Sequence, residues 1–256
     1  DADTMEIEKY ELDNLILWDT PGLGDGREAD NRHAKNIIKK LTEEDSEGNA
    51  LIDLVLVILD GGSRDLGTSY ELINNVIIPN LGEDKENRIL VAINQADVAM
   101  KGRNWDYEKN EPNMKLKAFL DEKAESVKKR IYEGTGVSVE PIYYSAGYKE
   151  DGIQSLPYNL SKLLYYIVKA TPPKKRAVYV GNINADNEVW KRNDEPDYRK
   201  KTGITILESI VEGVIEGAEN GEDFGRTFGV VGENIGRVIG GIAGGISRLI
   251  DHVLWG

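Results

Sequence analysis

The sequence predicts an α/β fold: a mainly parallel sheet flanked by helices. Two observations carry this expectation. The stretches Leu51–Leu59 (LIDLVLVIL) and Ile89–Ile93 (ILVAI) are almost continuously apolar, as strands covered on both faces are. They alternate with segments whose apolar residues recur at helical spacing, the order that builds parallel sheets. Ligands of such sheets sit beyond the carboxyl ends of the strands. Unusual loops follow Trp18, Ile93 and Tyr144, all at that edge.

The elements follow in order. Thr4–Leu12 (TMEIEKYEL) alternates apolar and polar residues, a half-exposed strand. A short Asp-Asn link leads to the strand Leu15–Trp18, so the two should pair as an antiparallel hairpin. Glu28–Leu41 is a helix with Ala34, Ile37, Ile38 and Leu41 on one face. The strand Leu51–Leu59 ends in Asp-Gly-Gly, Tyr70–Ile78 reads as a helix, and Ile89–Ile93 is a strand ending in Asn94. Asn113–Tyr132 is a charged amphipathic helix stopped by Glu-Gly-Thr-Gly. Val137–Tyr144 is a strand running into Ser145-Ala146, and the helix Leu156–Lys169 stops at Pro172-Pro173. These elements make a domain of residues 1–172. Residues 173–202 read as a linker, or as one more strand (KKRAVYVGNIN) with a polar segment after it.

Residues 203–256 form a glycine-rich, mostly helical tail. Its apolar residues have helical spacing over Ile204–Ile215, and Gly225, Gly229, Gly232, Gly236, Gly240 and Gly244 then recur every three or four positions. Each isolated glycine costs a helix about 1 kcal/mol relative to alanine, but a row of them permits close helix–helix approach. Packing on its own domain, self-association and contact with a membrane surface are the readings this leaves. Glu233 and Arg237 argue against full insertion.

Composition bounds the function. The 256 residues carry 32 Lys+Arg against 45 Asp+Glu, a net charge of −13. That balance disfavours broad binding to nucleic acid, and no direct DNA binding is expected. The absence of cysteine excludes disulfides and thiolate metal sites, and two histidines leave little for zinc. No apolar run reaches the roughly 18 residues of a spanning helix. The expected location is the cytoplasm, with the periphery of a membrane as the variant. The chain begins with Asp1 rather than Met, which suggests a piece of something longer or a processed product.

Three motifs bear chemistry. Asp19-Thr20-Pro21-Gly22 follows a strand. A carboxylate there can hold Mg²⁺ through water, and a glycine amide can reach a terminal phosphate with no side chain in the way. A tight turn uses the same residues. Asn94-Gln95-Ala96-Asp97 follows ILVAI. Asp97 offers two acceptors to match the ring NH and exocyclic amine of guanine, whereas adenine would set an acceptor against them. Asp97 as a simple helix cap is the competing reading. Ser145-Ala146-Gly147 follows Pro-Ile-Tyr-Tyr. A small residue there can offer its amide to a base carbonyl, with Ser145 bracing the turn.

In this order, each after a strand, DTPG, NQAD and SAG resemble the signature set of GTPases. The chain resembles a Ras-like P-loop GTPase of the translation-factor class, nearest the Era-like branch. It is similar to the prophage-type ribosome-binding GTPases over roughly residues 1–172, most closely at ILWDTPGLGDG and NQAD. The resemblance implies GTP or GDP with Mg²⁺ as ligands. Asp19 and Gly22 would serve magnesium and γ-phosphate, with Thr4 matching the switch threonine that ligates the metal. Asn94, Gln95 and Asp97 would lie at the guanine, Ala146 would bond its oxygen, and Ser145 would brace that loop. No residue is assigned to catalysis. A ribosome or a membrane surface would be the partner, with self-association through the tail.

Three departures qualify the likeness. Gln95 stands where the base-reading motif usually has lysine, and Leu23 where Ras has its water-orienting glutamine, which implies slow hydrolysis. No GxxxxGK[ST] loop occurs, and Gly62–Ser69 (GSRDLGTS) only mimics one without lysine. The first strand of such a domain, central in its sheet, would have to precede residue 1. The chain is then either part of an intact GTPase, inactive as it stands, or a nucleotide-free interaction module built on a remnant and assembling through its tail. Missing that strand, the chain should leave two strand edges unpaired and self-associate, unless Arg176–Val180 fills the slot.

Overall fold

The computed structural model describes residues 7–12, 14–24, 26–150, 153–184 and 186–217. Its elements are β1 (Glu8–Leu12), β2 (Leu15–Asp19), α1 (Arg27–Leu41), β3 (Val55–Asp60), α2 (Gly67–Leu72), β4 (Ile89–Asn94), β5 (Trp105–Asp106), β6 (Glu111–Pro112), α3 (Met114–Thr135), β7 (Ile142–Tyr143), β8 (Tyr148–Glu150), β9 (Ile153–Ser155), α4 (Leu160–Ala170), α5 (Tyr179–Asn182) and α6 (Tyr198–Gly217). Thr4 and the recurrent glycines of the tail lie outside the described residues.

Strands β3, β4 and β7 form a parallel sheet with β4 in the middle. Every residue of Ile89–Ile93 is buried, which is why this stretch shows no alternation. One face of the sheet carries Val57, Leu59, Val91 and Ile93 against Ile37 and Leu41 of α1, Ile73 and Ile77 after α2, and Leu116, Leu120, Val127 and Ile131 of α3. The other face carries Leu90, Ala92, Ile142 and Tyr144 against Leu163 of α4. Helices on both faces of a parallel sheet define the α/β class expected from the sequence.

The hairpin β1–β2 forms a separate two-stranded sheet, antiparallel, with Glu8 opposite Asp19 and Leu12 opposite Leu15. Among the described residues β2 pairs only with β1, and β3 only with β4. Each therefore keeps one unpaired edge. Ile16, Leu17 and Ile58 are about half exposed beside these edges. Helix α1 joins the two sheets. Its Ile37 and Leu41 enter the main core, and its Lys40 ammonium lies 3.7 Å from the centre of the Trp18 ring on β2.

Local signals explain the long helix. The Asn113 side chain accepts hydrogen bonds from the amides of Lys115 and Leu116 at 3.0 and 3.1 Å, and Gly136 ends α3 at a φ of 73°. The segment expected as one helix over Tyr70–Ile78 instead passes from α2 through a π turn, Ile73–Ile77, into a 3₁₀ turn, Ile78–Asn80. Pro79 has no amide proton to continue an α-helical ladder.

Arg176–Val180 does not fill the vacant slot, because it is helical. Pro173–Val178 is a 3₁₀ turn that leads into α5. Prolines suit the start of a helix, and Arg176 fixes this one: its guanidinium donates to the carbonyls of Lys169 and Thr171, both at 2.9 Å, and to Ser209 Oγ at 3.0 Å. These bonds satisfy carbonyls left open at the end of α4. Helix α6 packs along α4, burying Ile206 and Leu207, and the rings of Tyr165 and Tyr198 lie 5.8 Å apart.

The two faces of β3 give a direct test. Leu59→Ala, in the core, should cost about 2–5 kcal/mol. Ile58→Ala, at a position left half exposed on the edge strand, should stay within about 1 kcal/mol. Urea unfolding of both variants measures the contrast, and equal losses would show that the Ile58 side chain is covered.

Candidate functional site

The site begins with strand register. Parallel pairing aligns Asp60 with Asn94, and Ile93 with Tyr143, so the loops after β3, β4 and β7 leave the sheet side by side. The β4–β7 ladder continues beyond the strands. The Tyr144 amide donates to Ile93 O at 2.9 Å, and the Ala96 amide donates back to Tyr144 O at 3.1 Å.

Side chains then join the two polar loops directly. Ser145 Oγ donates to Asp97 Oδ1 at 2.7 Å, and the Ala146 amide donates to Asn94 Oδ1 at 3.1 Å. The Gly147 amide donates to Ser145 Oγ at 3.3 Å. Asp97 is 8% exposed and Ser145 3%, so the Ser145–Asp97 bond lies largely out of water, where charge-assisted bonds are strongest. The second oxygen of Asp97 and the Asn94 amide nitrogen have no protein partner among the described residues. Gln95 is exposed, and its φ of 59° is a left-handed backbone unusual for a residue with a side chain. NQAD and SAG, which the sequence set 48 and 52 residues apart at these two contacts, thus form one polar cluster with unsatisfied groups at its surface.

The loop after β3 braces the cluster from the other side. The Gly61 amide donates to Asn94 O at 2.8 Å, and a Cβ on Gly61 would stand 2.5 Å from that oxygen. Only glycine permits this approach. Lys123 of α3 holds the same loop, its ammonium donating to the carbonyls of Asp60, Gly61 and Ser63 at 3.1, 2.7 and 2.7 Å. Burial lowers the pKa of this lysine, with Asp60 opposing the shift. On the far side, Ser145 and Tyr158 exchange backbone hydrogen bonds at 3.0 and 2.9 Å. The ring of Tyr158 meets Trp105 edge-on at 5.4 Å. Burial, then hydrogen bonding to Asp121, holds the Tyr143 phenol far above its ordinary pKa.

The loop after β2 stands apart in its contacts. Asp19 and Gly22 are exposed, and the Asp19 carboxylate makes neither hydrogen bond nor ion pair among the described residues. Nothing lies within 4 Å of where a Gly22 Cβ would be, so the space beside its Cα is open. The described residues contain no group of three or more His, Asp or Glu side chains able to hold a metal alone. One free carboxylate nevertheless suits Mg²⁺, which keeps several waters and takes one or two carboxylates besides phosphate oxygens.

Gly61, Lys123 and Tyr158 were not singled out in the sequence. Asp-Gly-Gly after an apolar strand was a signal for the first. The other two act on backbone atoms far away in sequence, which no local pattern reveals. The chain matches no protein-family model, no curated protein and no solved structure.

Ser145→Ala would leave Asp97 Oδ1 without its donor. A loss of about 1–3 kcal/mol is expected in urea unfolding, and it should shrink in an Asp97→Ala background. An undiminished loss there would mean that the two side chains are not coupled.

Proposed function

We propose that this chain is the base-reading, larger part of a Ras-like P-loop GTPase. Joined to a phosphate-binding loop that residues 1–256 do not contain, it binds GTP or GDP with Mg²⁺ and hydrolyses GTP slowly, as a molecular switch. The observation that carries the reading is the pair of bonds linking Asn94 to Ala146 and Asp97 to Ser145. They favour a site in which Asp97 takes the guanine ring NH and amine, the Ala146 amide exchanges Asn94 Oδ1 for the guanine oxygen, and Ser145 steadies both loops. Exposed Asp19 and the open space beside Gly22 suit a hydrated magnesium and a terminal phosphate. The aliphatic Leu23 cannot orient water, in keeping with slow turnover.

The edges of β2 and β3, unpaired among the described residues, favour one further strand between them, carrying the phosphate-binding loop at its carboxyl end. The same edges, with Ile16, Leu17 and Ile58 half exposed, favour a second reading. In it the chain is a nucleotide-free module that accepts a strand from a partner. Nucleotide binding by the full-length protein separates the two.

The base-reading assignment is tested by Asp97→Asn in the full-length protein. One acceptor becomes a donor facing the guanine amine, while xanthine offers an oxygen at that position. The variant should lose GTP affinity and prefer xanthosine triphosphate, since buried hydrogen-bonding sites discriminate by up to about 10⁴–10⁵. Competition binding with both triphosphates reads the outcome. An unchanged preference for GTP would remove Asp97 from the site and leave it a structural acceptor for Ser145.

A further inference from the structure

We infer that His33 and Asp30 of α1 are positioning residues for Gly22, gripping the ribbon Gly22–Gly24 so that the helix sets where the Gly22 amide stands. This rests on the reading of that amide as a γ-phosphate contact. Asp30 and His33 are three residues apart in the first half of α1, hence on one face. Asp30 Oδ1 accepts from the Gly24 amide at 2.8 Å, and His33 Nδ1 lies 3.2 Å from Gly22 O. A carbonyl oxygen can only accept, so Nδ1 carries the proton and Nε2 is left as an acceptor.

That tautomer has a cost. The imidazole is 1% exposed, and its Nε2 is buried without a partner among the described residues. An unmet buried acceptor destabilises the fold, whereas leucine would fill similar space with no such loss. What histidine supplies and leucine cannot is the hydrogen bond to Gly22. Gly22, Leu23 and Gly24 make no other hydrogen bond among the described residues. The ribbon therefore hangs from α1. The far end of the helix is fixed by Ile37 and Leu41 in the core and by Lys40 on Trp18. A phosphate drawing on the Gly22 amide must accept the place α1 gives it, or move the helix.

The test uses the full-length protein. His33→Leu removes the donor and keeps an apolar filling, and His33→Gln retains a side-chain N–H. His33→Leu should weaken a non-hydrolysable GTP analogue about fivefold to tenfold, the usual worth of one hydrogen bond. Affinity for GDP, which lacks the γ-phosphate, should stay within about twofold, and His33→Gln should recover most of the loss. Equal losses for both nucleotides, or none, would overturn the proposal. Amide exchange in the nucleotide-free protein gives an independent reading: Asp30→Ala should speed exchange at Gly24 about tenfold or more, and unchanged exchange would show there is no grip. If exchange responds but the wild-type protein binds neither nucleotide, the γ-phosphate reading falls and takes the positioning role with it.

Discussion

The pairing of β3 with β4 is the constraint from which the rest follows. Six rungs, Val55–Ile89 to Asp60–Asn94, hold these strands in parallel register. Because the chain leaves each strand at the same edge, the loops after Asp60 and Asn94 emerge together. Gly61 can then touch Asn94 O, and Lys123 can close the first loop from α3. A slip of one residue would turn Val91 and Ile93 away from the core that holds Leu116 and Leu120. Core packing thus enforces the register, and the register assembles the polar cluster.

Coverage of the sheet is uneven. Strand β4 is buried along both faces, whereas Ile58 on β3 and Ile16 and Leu17 on β2 face outward. Helix α1 compensates for part of this by resting on both sheets. Exposed apolar edges are a hazard for association unless something pairs with them. The proposed GTPase and the proposed strand-accepting module differ only in what that is.

Much of this architecture was legible in the sequence because burial on both faces leaves a simple mark. ILVAI is continuous, its strand is central, and the helix from Asn113 showed the glycine segment that ends it. The motifs were legible as well, since NQAD and SAG sit where chain order and strand ends place them. Other features escaped for physical reasons. Val137 and Val139 are buried, yet they pack from irregular backbone, and only Ile142–Tyr143 pair as a strand. The small hairpin of Trp105–Asp106 with Glu111–Pro112 depends on left-handed Asn104 and Asn110, conformations a residue type permits without announcing. His33 looked like one polar residue on a helix. Its meaning lies in a carbonyl eleven residues earlier.

The contacts between Asn94 and Ala146 and between Asp97 and Ser145 span 52 and 48 residues, and this has a kinetic consequence. Loop-closure entropy must be overcome before such distant contacts return any free energy. Helix α3, formed locally within that span, shortens the effective loop by condensing Met114–Thr135 into a rod. The polar cluster should therefore mature late, after α3 has docked on β4. A folding intermediate with β3, β4 and α3 in place would already possess the centre of the core, but no site.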